Sequence, residues 1–260
     1  KAGISVWYRH GARRNEQSTP GFNQWSFQRG IAGMVRSPFV VGLLLLAPGG
    51  FVRSEENAAP AVEALRSALV KNIEHSRDWL AAKDFKSLGQ SAGGLELLAE
   101  VLRAKSDDAA WQAATGQVLA AAKEVRAAAQ AEDGPRSAEA LAALEKKAAD
   151  AAGISPAGQP LPPPRANLRS LMLLMDGVYA DGKIALLTDQ PQFAKNQAQV
   201  LSELGRVVSN SRSGDRWAGL SDGFVQAAQN AAQSSEADAQ ALRPLMRAIS
   251  QRCEACHDTR

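Results

Sequence analysis

Cysteine and histidine are scarce in this chain of 260 residues, which contains two cysteines and three histidines. A structural zinc site needs about four such ligands, and no second Cys/His pair is present to complete one. A disulfide is also disfavoured, because residues three positions apart on a helix do not readily reach disulfide geometry. The two cysteines are therefore expected to serve neither a structural zinc site nor a disulfide.

The chain also lacks the sequence patterns of several common functions. No paired carboxylates, nucleophile triad or phosphate-binding loop is visible, so we expect no enzyme. No apolar run reaches the roughly 20 residues that a membrane-spanning helix needs. The alternation that is typical of strands is missing too, and apolar residues recur instead at helical spacing, which predicts an all-α fold.

A basic and then apolar segment near the start resembles a secretory signal peptide. Arg36 precedes the apolar residues 39–47, which are about as long as the hydrophobic region of such a peptide. We expect translation to begin at Met34, a signal peptide over about 34–57, and a leader over 1–57 as a whole. The expected location is the periplasm, with no membrane span after the leader is removed; because no clear cleavage site is visible, an uncleaved membrane anchor is the alternative.

Most of the excess positive charge lies in this leader. Residues 1–53 hold seven of the 30 basic residues but one of the 27 acidic residues. Without them the formal charge changes from +3 to −3. Because the remaining chain has no basic stripe, no nucleic-acid partner is expected.

A proline-rich hinge, residues 154–164, separates two segments of similar length. Prolines favour a stiff extended spacer, so we expect few contacts across it. Residues 165–260 show four apolar stripes at helical spacing, and residues 58–153 repeat the pattern more faintly. The prediction is two tandem antiparallel four-helix bundles; chance similarity between alanine-rich helices is the alternative to an internal repeat.

The sequence C-x-x-C-H at 253–257 is the attachment signature of c-type haem. Two thiols on one helical turn can add to the two vinyl groups of one porphyrin, and the next histidine can bind the iron. Thioredoxin-like motifs of the C-x-x-C type instead open a helix after a strand. We therefore predict one covalent haem c, held by Cys253 and Cys256 in the second bundle, with His257 as an iron ligand. The first bundle has no cysteine, so it is expected to be haem-free.

With this motif at the end of the fourth helix, residues 165–260 resemble the cytochrome c′ family, whose members bind haem in a four-helix bundle. The family usually has a basic residue shortly after the histidine, and Arg260 supplies one a position early. The segment is also shorter than is usual in the family. In five-coordinate members an apolar residue faces the iron and small gases bind there, whereas low-spin relatives place a methionine on the iron and carry electrons.

The resemblance also implies further site residues. Met172 has a position like that of the ligating methionine, with Met175 as the alternative, and an ordinary core role is the other interpretation of both. The residues expected to flank the porphyrin, or else to be simple core residues, are Tyr179, Trp217 and Phe224. Arg252 and Arg260 are candidates to pair with the haem propionates, with surface salt bridges as the alternative.

Three functions are compatible with these patterns. The leading prediction is electron transfer in the periplasm with one or more redox partner proteins. A five-coordinate haem protein that binds nitric oxide or carbon monoxide is the alternative, and a scaffold role for the haem-free module is the third. The oligomeric state stays open, with a homodimer among the candidates. His75, on the first helix, is expected on a solvated face.

Overall fold

A computed structural model describes residues 58–212 and 214–258 of the chain. Over these residues the protein is all-helical, with no strand, which confirms the predicted all-α class. The expected leader, residues 1–57, and Arg260 lie outside the described residues. The helices are α1 (Ala58–Ala81), α2 (Phe85–Arg103), α3 (Ala109–Gln130), α4 (Gly134–Ala152), α5 (Leu168–Leu187), α6 (Pro191–Ser211), α7 (Asp215–Ala232) and α8 (Ala239–His257). In this part of the chain, none of them is both long and apolar enough to cross a bilayer.

Short polar side chains begin most of these helices. Asp84, Asp108, Asp133 and Asp238 each accept a hydrogen bond from a backbone N–H in the first turn of the helix that follows, and Asn167 does the same for α5. The first N–H groups of a helix have no partner within it, so a side-chain oxygen at this position stabilises the helix start. These caps fix where α5 and α8, the two helices most relevant to the predicted site, begin.

The first four helices and the last four helices each pack around their own apolar residues. In both sets, each helix contacts the next one along the chain, and α1 also contacts α4 as α5 contacts α8. The largest apolar side chains that are completely buried are Leu65, Leu88, Leu95, Leu98, Trp111, Leu144, Leu171, Leu201, Leu204, Leu242 and Ile249. Burial of one such aliphatic side chain contributes about 1.5–3 kcal/mol.

The two sets of helices also pack against each other, through α1 against α6 and α2 against α5. At Gly94 of α2 an added Cβ would stand 3.3 Å from Leu174 Cδ1 of α5, so the helix backbones approach closely there. The buried carboxylate of Glu203 in α6 accepts hydrogen bonds from Lys105, just after α2, and from Arg206. Buried apolar residues of all eight described helices form one cluster. The expectation of few contacts across the proline-rich segment is therefore wrong.

Residues 153–167 connect α4 to α5 without forming a helix, and they lie against the turn between α2 and α3. The N–H of Asp107 donates to the carbonyl of Gln159 over 2.9 Å, and the N–H of Gln159 donates to Asp107 Oδ1 over 2.9 Å. The N–H of Leu161 donates to the carbonyl of Ala104, also over 2.9 Å. Directly before Gln159, Gly158 has a φ of +85°, and an added Cβ would collide with Asp107 Oδ1, so glycine is needed here. The proline-rich segment is thus hydrogen-bonded to the first four helices.

Candidate haem-attachment site at the end of the last helix

The C-x-x-C-H motif occupies the last turns of α8, which ends at His257. The side chain of Cys253 is half-buried and packs against the apolar core, so it continues the buried stripe that runs from Leu242 to Ile249. Cys256 is half-buried as well, and the two cysteines form no disulfide with each other. His257 is exposed at the end of the helix. The two thiols therefore lie about one helical turn apart, both half-buried, and the imidazole of His257 is exposed after them.

The first half of α5 lies beside this end of α8, because the two helices run antiparallel. An added Cβ on Gly182 of α5 would stand 2.7 Å from Met246 Cε of α8. Asp176 lies nearer the start of α5, and Cys253 and His257 lie nearer the end of α8. Asp176 is close enough to both that its charge raises the pKa of Cys253 and the charge of His257 lowers the pKa of Asp176. Residues earlier in α5 therefore lie beside residues later in α8.

Asp176 belongs to this site, although sequence reasoning did not identify it. Burial raises the pKa of the Asp176 carboxyl above its ordinary value, and the nearby charge of His257 opposes that shift. A signal for it exists in the sequence, because Asp176 interrupts the most apolar of the helices one turn after Met172. The other acid of α5, Asp181, also has a pKa that burial raises, and His75 of α1 opposes the shift there.

Cys253 is the less reactive kind of thiol in this setting. Burial raises its pKa from 9.0 to about 11, and the negative charges of Asp176, Cys256 and Glu254 add to the effect. The thiolate is the reactive form of cysteine. Once α8 is packed, therefore, Cys253 is held almost entirely as the neutral thiol.

The two candidate methionines differ in their burial. Met175 is 7% exposed and belongs to the apolar core. Met172 is half-buried and lies on the flank of α5 that also carries Asp176 and Tyr179, since residues three and four apart share a helix face. Because Asp176 lies near the end of α8, Met172 is at the level of the haem motif. Met172 as an iron ligand, with Met175 as the alternative, therefore stays a prediction.

The start of α7 completes the same end of the last four helices. An added Cβ on Gly223 of α7 would lie 3.7 Å from Arg252 Nη1 of α8, and these helices are also antiparallel neighbours. Trp217, near the start of α7, is half-buried, with the Arg212 guanidinium 4.5 Å from its ring centre. Between Trp217 and Gly223, an added Cβ on Gly219 would meet no atom within 4 Å. Gly219 is itself exposed, so this face of α7 is open to solvent.

The other predicted site residues differ in burial. Tyr179 is half-buried on α5, with Lys183 Nζ 5.8 Å from its ring centre. Phe224 is buried against α6, where an added Cβ on Gly205 would stand 2.8 Å from Phe224 Cδ1. Arg252 is exposed beside α7.

The core of the last four helices also contains a polar side chain without a hydrogen-bond partner. Gln197 of α6 is 1% exposed, and neither its Nε2 nor its Oε1 has a partner among the described residues. An added Cβ on Gly182 would stand 3.3 Å from the Cβ of Gln197 and 2.7 Å from Met246 Cε. Gln197 therefore lies at the level of Met246, which is about two helical turns before Cys253 on α8. An unpaired buried amide is costly, at about 1–3 kcal/mol. A polar group bound between these helices would therefore find a partner at Gln197.

Direct coordination of a metal ion by clustered side chains is not seen in residues 58–212 or 214–258, where no three His, Cys, Asp or Glu side chains come together. No family model, curated protein or solved structure matches this chain. Its function is therefore inferred from its own residues, above all from Cys253, Cys256 and His257.

Proposed function

We propose that this protein is a c-type monohaem cytochrome that transfers electrons in the periplasm, with one haem c bound covalently by Cys253 and Cys256. The observation that carries the proposal is the position of the C-x-x-C-H motif. Its two half-buried thiols lie on neighbouring turns of α8, and His257 follows at the exposed end of the helix. An unpaired amide at Gln197 supports a bound group among the last four helices.

The proposed architecture is two tandem antiparallel four-helix bundles, formed by α1–α4 and α5–α8. The contacts of each helix with its sequence neighbours, and of α5 with α8, support this arrangement. In this proposal the second bundle binds haem, as in the cytochrome c′ family. The first bundle is haem-free because it contains no cysteine. Export would depend on the leader, which lies outside the described residues.

Each residue of the site has its own role in this proposal. Haem, when bound, supplies one-electron chemistry at a potential that its axial ligands and surroundings set. Cys253 and Cys256 would tether it to α8, and His257 would be an iron ligand. Met172 of α5, or Met175 as the alternative, would supply a thioether ligand. Trp217 at the start of α7 contributes apolar surface that keeps water away.

Asp176 adds a negative charge to the site. Burial makes its ionised form less favourable, and a cation close by restores it. Oxidised iron carries one more positive charge than reduced iron, so a neighbouring carboxylate stabilises the oxidised state. We therefore expect Asp176 to lower the reduction potential.

The raised pKa of Cys253 bears on the order of assembly. Formation of a thioether bond needs access to the thiol, and in the packed protein Cys253 is half-buried and neutral. We therefore expect attachment to precede the packing of α8 against α5 and α7. The apolar stripe of α8 would then close over the tethered group.

The test is to replace both cysteines by alanine and stain a denaturing gel of the exported protein for haem. The wild-type protein should stain, because a thioether survives denaturation. The Cys253→Ala/Cys256→Ala variant should not stain, while its circular dichroism remains helical. Each single variant is the matched control and should keep one thioether. A wild-type chain without covalent haem, or a double variant that still stains, would show the proposal to be wrong.

Visible spectra then distinguish electron transfer from gas binding. Six-coordinate low-spin iron in both oxidation states supports the electron carrier. A five-coordinate high-spin spectrum, with rapid binding of carbon monoxide by the reduced protein, favours the gas-binding alternative.

A further inference from the structure

A groove of about 430 Å³ lies between α2, the end of α3 and the start of α5. Its volume is within the range of small-molecule sites, which is roughly 300–1,000 Å³. None of its lining residues belongs to the haem motif. The groove is lined by Phe85, Lys86, Gly89, Gln90, Gly93, Arg126, Ala129, Gln130, Glu132, Arg169, Ser170 and Leu173.

Two glycines of α2 leave room for the groove. An added Cβ on Gly89 would lie 3.8 Å from the Cβ of Ala129 in α3, and one on Gly93 would lie 3.9 Å from Ser170 Oγ in α5. These are ordinary contact distances for a methyl group. Any longer side chain at Gly89 or Gly93 would extend into the groove. The backbone of α2 therefore forms part of its floor.

One wall of the groove is apolar. Leu173 of α5 is 41% exposed, which makes it one of few large aliphatic side chains in the described residues that face solvent to this extent. Phe85, the first residue of α2, is half-buried and also lines the groove. An apolar ligand group that covers both side chains would remove this surface from water, which is favourable.

The polar lining of the groove is mainly cationic. Arg126 is paired with Glu96, with 3.2 Å between Nη1 and Oε2. The remaining charged groups of the lining are Lys86, Arg169 and Glu132, so positive charge exceeds negative charge. Arg169 is also in the first turn of α5, where the helix dipole adds positive potential. Ser170 supplies a hydroxyl beside it.

We propose that this groove binds a small organic anion with an apolar body. The body packs between Phe85 and Leu173, over the half-buried backbone at Gly89. The anionic group, a carboxylate, sulfonate or phosphate, is bound by Lys86 and Arg169. The site is separate from the haem motif, and it stands or falls independently of the cytochrome assignment.

Isothermal titration calorimetry on the whole exported protein tests the proposal with three probes. Naphthalene-1-sulfonate carries both features, naphthalene-1-methanol lacks the charge, and inorganic sulfate lacks the apolar body. We expect naphthalene-1-sulfonate to bind at one site. Each of the other two probes should bind at least about tenfold more weakly, because each lacks one class of contact. Equal affinity for either partial probe would overturn the proposal, as would the absence of saturable binding.

Substitutions place the site on the groove. Arg169→Gln and Leu173→Ser should each weaken binding of naphthalene-1-sulfonate about tenfold. The matched controls are Arg243→Gln, which removes an exposed arginine from α8, and Ile184→Ser, which removes an aliphatic side chain that is 52% exposed at the far end of α5. The controls should bind like the wild type, and circular dichroism should be the same for all four variants. Wild-type affinity in both Arg169→Gln and Leu173→Ser would assign the binding elsewhere and refute the site.

Discussion

At the scale of single residues, the two methionines of α5 separate iron ligation from packing. Met172 is half-buried on the flank that carries Asp176, and Met175 is buried in the core. Met172→Ala should therefore convert low-spin ferric protein to high-spin and lower its reduction potential, since a thioether preferentially stabilises reduced iron. Visible spectra and redox titration measure both changes.

Met175→Ala should mainly loosen the core, at a cost of about 2–5 kcal/mol in unfolding free energy. The matched control is Met246→Ala, which removes a methionine of α8 that is 3% exposed; it should lose stability without any change of spin state. A spectrum that responds to Met175→Ala and ignores Met172→Ala would exchange the roles of the two residues. A wild-type spectrum that is already high-spin and responds to neither change would favour the gas-binding alternative.

Cys253 offers a pH-dependent prediction in protein made without haem. Burial raises its pKa from 9.0 to about 11, so at pH below both values the folded state contains about a hundredfold less thiolate than the unfolded state. In a Cys256→Ala variant, alkylation of Cys253 by iodoacetamide should be slow at pH 8 and rise with pH until about pH 11. Unfolding the same variant in urea is the control and should accelerate the reaction at pH 8. Equal rates in both states would contradict the packing of Cys253 in α8.

The C-x-x-C-H motif could be recognised in the sequence because covalent attachment of haem requires this spacing, and its role as a haem site stays a prediction. Asp176 could not be predicted in the same way, because a helical pattern gives the face of a residue but not the partner across from it. His75 shows the same limit. It was expected on a solvated face, but it is half-buried, with its Nε2 3.8 Å from Asp181 Oδ1 of α5. The residues that surround a motif depend on how helices cross, and the sequence of one helix does not contain that information.

At the scale of the helix, matching sequence positions have acquired different surroundings. Trp111 and Trp217 are each the third residue of their helix, as the proposed repeat predicts. Trp111 is completely buried, and its Nε1–H donates to the carbonyl of Leu102 over 2.9 Å. Trp217 is half-buried beneath Arg212. Apolar periodicity thus predicted the helices, whereas the environment of each aromatic ring had to come from the packing.

Close helix contacts at glycine give a prediction for α6. An added Cβ on Gly205 would lie 2.8 Å from both Phe224 Cδ1 and Val225 Cγ2 of α7. Gly205→Ala should therefore destabilise the protein by about 1–3 kcal/mol through overpacking, in spite of the better helix propensity of alanine. The control is Gly116→Ala in α3, where an added Cβ meets nothing within 4 Å and alanine should stabilise by about 0.5–1 kcal/mol. Denaturant unfolding measures both, and a Gly205→Ala variant as stable as Gly116→Ala would contradict the close approach of α6 and α7.

At the scale of the whole molecule, the contacts between the two sets of helices change the expectation for an isolated fragment. Residues 58–153 bury leucines of their own, but α1 and α2 also pack against α6 and α5. Without the second half, the fragment exposes the faces that these contacts cover. We expect the fragment to be helical and haem-free, and to melt cooperatively but at a lower temperature than the intact protein. Thermal unfolding followed by circular dichroism checks this, with full-length protein as the reference.

Two results would contradict this expectation in different directions. A fragment that melts at the temperature of the intact chain would mean that the contacts of α1 with α6 contribute little. A fragment without a cooperative transition would mean that the two halves fold only together.

The sequence could not predict the contacts between the two halves, because the proline-rich segment indicated a spacer and no local pattern reveals that α2 and α5 touch at Gly94 and Leu174.

The hydrogen-bonded path of residues 153–167 also determines how the chain meets a protease. A protease must take an extended stretch of substrate into its cleft, and the segment between two helical halves is where cleavage is usually sought. Here Gln159 and Leu161 are held by Asp107 and Ala104, and proline removes the backbone N–H that many proteases recognise. The connection between the halves should thus resist digestion. Even a nicked chain would stay together, because the halves also adhere through α1, α2, α5 and α6.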